Sequence, residues 1–564
     1  MLVAIAIKVE VVAVSRLNRR LLAAATIIMA AILSFAIAPG AARAADTGAI
    51  TVDGTVATRY DAYQLLSATV VDDADTDQKI ATDVTWANDA ICQAVLPVLH
   101  DAGLDSPAST AQSAAEWMNA DGHMTTALTA KLACAICNAG VPSVALTAGM
   151  AAELPCGYWL IVADDDAIAQ NEAGTAPIMA LVGGSAVTVK PKAATPKVSK
   201  HVLEDSAAAW QKAADATVAD DLYWRLSATV PAGLTAYDTY TVRFVDTMGA
   251  GLDPSKVAAS MRVYVAAGAG GDFDAVACEG GNANSTPAKG WTDITPQCKV
   301  SVEGNAFTVR TGDLIAALGG TDAFTAGARV VAVYNAPLNG ACNHGIAKGN
   351  PNEVYLRYPR SPFADQSGDA GFTRTPSDDA CAYTWDLALT KRGSDGDKPL
   401  AGAVLSIADD RGRTLSADGT WDAEGKATVT TGEDGRVTVS GVDSGKLEVR
   451  ELKAPKGYTA FEGTRSVTVK AEGLDVDQVA AAKPKLTITA ESPLRADSAD
   501  GSTGSLEASL INTPTGTPPS ITTGGFMPST GDMAMYAAAA AAVAGAALIV
   551  VALLVKRGGG SHKE

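Results

Sequence analysis

The end of the chain constrains its folding most. Met533 to Val555 is apolar apart from Gly545, and Lys556 and Arg557 follow at once. Those 23 residues are enough to cross a bilayer as a helix, which needs about 20. The basic pair predicts a cytoplasmic end. A second boundary stands at the other end, where Arg16, Arg19 and Arg20 precede an apolar run from Leu21 to Ala38. Ala42-Arg43-Ala44 comes next, in the order a signal peptidase requires. Residues 1–44 are expected to be a signal peptide and the mature chain to begin near Ala45, a retained membrane anchor being the alternative. The residues between the two ends are therefore expected to fold outside the cell.

That middle is long enough for roughly three or four domains. The net charge of -18 makes nucleic acid and anionic lipid poor partners. All eight cysteines, Cys92, Cys134, Cys137, Cys156, Cys278, Cys298, Cys342 and Cys381, follow the cleavage site. An even count in an exported chain predicts disulfides, each worth about 2–4 kcal/mol. Proximity suggests Cys278–Cys298 and Cys342–Cys381. Cys134-Ala-Ile-Cys137 has redox or zinc spacing, but no second pair accompanies it.

The expected fold is mainly β, because short strand-like runs are punctuated by Gly, Asp and Pro as in tandem immunoglobulin-like sandwiches. Residues 45–190 form a mixed α/β N-terminal domain, since 107–139 is alanine-rich and reads as one or two helices. Asp73, Asp75 and Asp77 begin like a calcium loop. Gln78 and Val84 stand where glycine and glutamate are needed, so a solvated acidic loop is expected, with no metal and no cofactor. A second domain covers 195–365 and a third 382–514. A flexible spacer follows at 515–526, rich in Thr, Pro and Gly.

Met527-Pro528-Ser529-Thr530-Gly531 stands just before the apolar run. The whole arrangement of 527–564 resembles the cell-wall sorting signal of sortase substrates, with Met527 in place of the usual leucine. The resemblance implies that a sortase cysteine attacks Thr530, releases Gly531 onward and passes the threonyl carboxyl to an amine. Tyr240-Thr-Val-Arg-Phe-Val-Asp246, Val331-Ala-Val-Tyr-Asn and Gly349-Asn-Pro-Asn352-Glu-Val-Tyr resemble, in this order, the isopeptide-forming domain of fimbrial backbone subunits. Asp386-Leu-Ala-Leu-Thr-Lys391, Glu451-Leu-Lys-Ala-Pro-Lys-Gly-Tyr458 and Leu510-Ile-Asn512 resemble a prealbumin-like Cna-B domain. Thr188-Val-Lys190-Pro-Lys192 is similar to the pilin motif ending in Tyr-Pro-Lys.

These resemblances imply self-formed amide cross-links. A lysine in an apolar core loses hydration, so its pKa falls and a free amine becomes available. A neighbouring acid is kept protonated and polarises an asparagine amide, as a positioned general acid does. The assignments are Lys391, Asn512 and Glu451 in the third domain. In the second they are Lys200, Asn352 and Asp246, with Lys197 and Asn350 as fallbacks. Each lysine and its asparagine are expected on neighbouring first and last strands. Lys192 is the expected acceptor for polymerisation, with Lys190 as fallback.

The implied protein is the shaft subunit of a sortase-assembled pilus on a Gram-positive wall. Its implied partners are sortase, further copies of itself, minor pilins, peptidoglycan and host surface ligands. A wall-anchored adhesin or tip subunit with the same stalk domains is the alternative. An enzyme is disfavoured: G-x-S-x-G, H-E-x-x-H and P-loop strings are absent, and His100, His123, His201 and His344 have no catalytic neighbour visible in the sequence.

Overall fold

A computed structural model describes residues 46–516, apart from 269–289 and the short stretches 77, 106–109, 170, 175, 192–194, 219, 232–233, 322–323, 325–326 and 365. The expected signal peptide and sorting signal, the apolar run, Cys278 and Lys192 lie outside the described residues. Strands dominate, arranged in three successive units.

In the first unit, a sheet runs Lys79–Trp86, Arg59–Asp72, Gly157–Ala163, Ile178–Val182, with Val144–Thr147 also beside Arg59–Asp72. All seven residues of Gly157–Ala163 are buried, and alternation explains why. Tyr158, Leu160 and Val162 face one core, lined by helices. Trp159, Ile161 and Ala163 face another, under a small sheet of Ala151–Pro155, Thr47–Val52 and Val187–Val189. The helices are Asp89–Asp101, Ala111–Asn119 and Thr126–Asn138, so one precedes the expected region. Side-chain oxygens of Asn88, Thr110 and Thr125 cap their first turns by accepting from Ile91 N, Ser113 N and Leu128 N. In the acidic loop, Asp73 accepts from Asp75 N (3.0 Å) and Thr76 Oγ1 (2.8 Å).

The second unit is a sandwich. One sheet runs Ala209–Gln211, Val198–Glu204, Tyr223–Thr229, Arg329–Asn335, Arg262–Ala266, Thr292–Asp293. The other runs Ala213–Asp215, Asp378–Tyr383, Asn350–Pro359, Arg243–Met248, Ala306–Arg310, Lys299–Glu303. Trp224, Leu226, Phe244, Val263, Tyr334 and Leu356 fill the space between them. In the third unit, Trp385–Gly393 lies between Arg436–Val442 and Ser505–Pro514, with Tyr458–Thr459 and Leu494–Asp500 also beside Ser505–Pro514. It faces a sheet that includes Val404–Ala408, Gly445–Lys453, Thr464–Glu472 and Lys485–Ala490.

The second and third units are docked closely. Val218 N donates to Gly441 O (2.9 Å), and Gly345 N donates to Thr384 O (3.0 Å). Gly345 and Gly504 both have positive φ and meet backbone to backbone, where a Cβ on Gly345 would fall 2.5 Å from Thr503 C. Asp215 Oδ2 accepts from Trp385 Nε1 (2.6 Å), Ser444 N (2.9 Å) and Ser444 Oγ (2.6 Å). Glu204, Asp205 and Asp443 surround it, with Arg411 acting on Asp205.

Burial, then the charge of Asp215, push the Glu204 carboxyl up to about 7, and the same two causes hold Asp443 well above the carboxylate range. Raised folded-state values mean that the folded chain binds extra protons, so this stability is full in acid and is lost as pH rises through the folded value. The unfolding midpoint is therefore expected to fall by several degrees as pH climbs through about 7, and Glu204→Gln should flatten that part of the profile. Calorimetry across this range checks it; a wild-type midpoint that rises there would contradict it.

The expected Cys342–Cys381 disulfide is not formed, both being free thiols, and the expected partner of Cys298, Cys278, lies outside the described residues. Cys342 and Cys381 face different neighbours. Cys342 Sγ lies 3.6 Å from His344 Nε2, whereas Cys381 Sγ is buried 3.7 Å from Ala382 O. Cys137 Sγ is 3.6 Å from Tyr63 Oη, and Cys134 Sγ takes a hydrogen bond from Asn138 Nδ2 (3.4 Å).

Candidate functional site

Two clusters of lysine, acid and asparagine sit inside the second and third sandwiches. In the third, Lys391 is fully buried on Trp385–Gly393. That strand runs parallel to Ser505–Pro514, pairing Lys391 with Leu510 and Gly393 with Asn512. Alternation along the pleat therefore puts Lys391 and Asn512 on one inward face, diagonally across neighbouring strands. Glu451 reaches them from Gly445–Lys453 in the facing sheet.

Lys391 Nζ donates to Asn512 Oδ1 and lies 3.2 Å from Glu451 Oε1. Asn512 Nδ2 donates to both carboxylate oxygens, at 2.9 and 3.0 Å, and Phe461 N donates to Oε2 at 3.1 Å. The acid thus grips the amide nitrogen that an attacking amine would displace. Burial brings the Lys391 ammonium down to about 8, against the opposing pull of Glu451.

The second sandwich builds its trio differently. Lys200 projects from Val198–Glu204 of one sheet, while Asp246 and Asn352 lie on Arg243–Met248 and Asn350–Pro359 of the other. Asp246 pairs with Val354 and Met248 with Asn352, so the acid and the amide are diagonal neighbours on one face. The lysine and asparagine strands are therefore not sheet neighbours here, contrary to expectation. They face each other across the core.

Lys200 Nζ contacts Asp246 Oδ2 and donates to Tyr334 Oη (2.9 Å). Tyr334 Oη donates to Asp246 Oδ2 (3.1 Å) and accepts from Asn352 Nδ2 (2.9 Å). Tyr334 is a member of the cluster that sequence reasoning did not single out. The rings of Trp224 and Tyr334 lie 5.6 and 5.5 Å from the ammonium. Burial lowers Lys200 to about 8 and raises Asp246, with each partner's charge opposing the shift. Asp246 Oδ1 and Asn352 Oδ1 are buried without a hydrogen-bond partner. A proton on Asp246 Oδ1 would turn one of these acceptors into a donor, which is the state a general acid requires.

The fallback residues have other surroundings. Lys197 is exposed. Asn350 is held by Asn343 N (2.8 Å), Asn343 O (2.9 Å) and Ala382 O (3.2 Å). Lys190 is exposed, 3.5 Å from Asp53. The buried Lys79 of the first unit donates to Gly183 O and Ser185 O and pairs with Asp72, with no asparagine in its contacts.

Residues 386–483 match the family model described as the SpaA prealbumin-like fold domain. The chain is also 30% identical over 143 residues to the trypsin-resistant surface T6 protein of Streptococcus pyogenes serotype M6, a match that takes in 24% of each sequence. It thus spans about a quarter of the length of the curated relative it matches.

Among solved structures, the T6 backbone pilin of serotype M6 Streptococcus pyogenes is 15% identical, with 84% of this chain and 99% of that one covered and a TM-score of 0.46. The full-length major pilin SpaD from Corynebacterium diphtheriae is 14% identical, with 83% and 98% covered and a TM-score of 0.41. BcpA, the major pilin subunit of Bacillus cereus, is 11% identical, with 83% and 99% covered and a TM-score of 0.38.

The fold and the matched segment define a mainly β chain of successive sandwiches that carries a prealbumin-like unit.

Proposed function

We propose that this chain is the shaft subunit of a covalent surface pilus on a Gram-positive bacterium, stiffened by one self-formed Lys–Asn amide bond in each of its second and third domains. The observation that carries this reading is the repetition of a buried lysine, acid and asparagine in two sandwiches that build the trio from different strands. The relative's description as a surface protein and the backbone pilins among similar structures agree with it.

In the third domain, Glu451 takes a proton from Lys391, converting a buried ion pair into two neutral groups. The free Nζ attacks Asn512 Cγ, the new C–N bond forms, and the bond to Nδ2 breaks. Protonated through Glu451, that nitrogen leaves as ammonia. Asp246 plays the same part for Lys200 and Asn352, with Tyr334 aligning all three. Each domain reacts once, so this is self-modification without turnover.

Export exposes Met527 to Gly531 to a wall sortase, which cleaves after Thr530 and joins the threonyl carboxyl to Lys192 of the next copy or to peptidoglycan. Minor pilins and host surface ligands would join the assembled shaft. Lys192→Arg in cells is expected to abolish the high-molecular-weight ladder while monomer stays attached to the wall. An unchanged ladder would overturn the choice of Lys192. A wild-type protein found on the wall only as monomer would favour the adhesin reading.

A further inference from the structure

The loop 339–349 of the second unit leans on the third, and there it assembles a constellation unused by the cross-links. The neighbours of His344 there are distant or unremarkable in the sequence and meet only in the fold. Cys342 Sγ lies 3.6 Å from His344 Nε2, and His344 Nδ1 lies 2.7 Å from Asp386 Oδ1, close though not squarely aligned. Asp386 is the second residue of the third unit's first strand and also accepts from Gly441 N (3.2 Å). A carboxylate at Nδ1 keeps the proton on that nitrogen, which leaves Nε2 free to accept the thiol proton. Nucleophile, base and orienting acid thus stand within reach of one another, the first two from one unit and the third from its neighbour. Cys342 and His344 are partly exposed, so a small solute can reach them.

We propose that Cys342 is a base-assisted thiol that exchanges with low-molecular-weight disulfides, making the junction a site of S-thiolation. Exchange fits this site better than acyl transfer, because backbone donors that could hold an oxyanion are already engaged. Cys342 N donates to Asn339 O, Asn343 N to Asn350 Oδ1, and Gly345 N to Thr384 O. Disulfide exchange needs no such cradle, since the negative charge stays on sulfur.

The step balances. Cys342 gives its proton to His344 Nε2, its sulfur attacks one sulfur of R–S–S–R, and the mixed disulfide forms as the old S–S bond breaks. The departing thiolate takes the proton back and leaves as R–SH. Cys342 is oxidised and the small disulfide supplies the oxidising equivalent. Burial and the Asp386 charge hold the resting thiol above its ordinary value, so the rate depends on His344 as the base. Cys381 and Cys298 are raised further, to about 11, and Cys381 is buried. Cys134 is exposed and provides an internal reference.

The test is to reduce the full ectodomain, remove the reductant, add oxidised glutathione and follow each cysteine by peptide mass. Cys342 is expected to react about tenfold or more faster than Cys134, and His344→Gln to bring it to the Cys134 rate or below. Asp386→Asn should slow it several-fold. The Cys134 rate and circular dichroism of each variant must match wild type, which separates a lost base from a lost fold. Cys134 reacting first, Cys342 closing instead onto another cysteine of the chain, or a His344→Gln rate equal to wild type would each overturn the proposal.

Discussion

Lys391→Met is expected to lower the unfolding midpoint of the third unit by on the order of 10 to 20 °C, with circular dichroism as the readout. The amide between Lys391 and Asn512 closes a loop on the order of 100 residues, and such a closure withholds about 5 kcal/mol of entropy from the unfolded chain. For a unit of this size that converts to the stated shift. Methionine fills the lysine's volume but leaves Glu451 without its cation, so the double variant Lys391→Met/Glu451→Gln, which carries neither charge, is measured beside it to separate the missing link from the unpaired acid. Glu451→Gln should destabilise further, because it strands the Lys391 ammonium in the core, a defect costing about 3–5 kcal/mol. A Lys391→Met midpoint within a degree or two of wild type would mean that no link forms.

Pulling on the wild-type protein between residues 192 and 530 is expected to extend it very little. With both amides present, tension enters near Lys200, crosses to Asn352, follows the chain to Lys391 and crosses to Asn512. Between the pulling points, only the two short ends, before Lys200 and after Asn512, and the stretch between Asn352 and Lys391 lie outside the two closed loops. Lys391→Met should add one unfolding step of about 400 Å, from roughly 120 residues at about 3.3–3.6 Å each. Lys200→Met should add a separate step of about 500 Å from the roughly 150 residues between Lys200 and Asn352. The first unit lies before Lys192 and carries no tension in this geometry. Single-molecule force spectroscopy reads both steps, and unfolding of the third unit in wild type would contradict the arrangement.

The third-unit trio was legible because Glu451 sits in a distinctive local string and because the lysine and asparagine strands are the first and last of their unit in sequence. The second-unit trio was nameable residue by residue, but its geometry was not. Nothing local in Lys197-Val-Ser-Lys200 tells which sheet its strand joins, and the two sheets put the lysine opposite the amide. Tyr334 was hidden for a related reason: a tyrosine in Val331-Ala-Val-Tyr looks like ordinary core, and only packing reveals a hydroxyl touching all three partners. The helix Asp89–Asp101 was obscured by Pro97, which its Asn88 cap and buried Ile91, Val95 and Leu99 outweigh. Features at the junction of the second and third units were invisible, since Asp215 meets Asp443, and His344 meets Asp386, only once two units dock. The Cys342–Cys381 pairing failed for the same reason, because closeness in sequence says nothing about which way two thiols face.

Two amide bonds are expected to form spontaneously within the chain, and the intact mass of the reduced ectodomain, residues 45–526, reads them. It should lie below the mass of the sequence by two ammonias, with Glu451→Gln and Asp246→Asn each restoring one. A mass equal to that of the unmodified sequence would mean that neither bond forms.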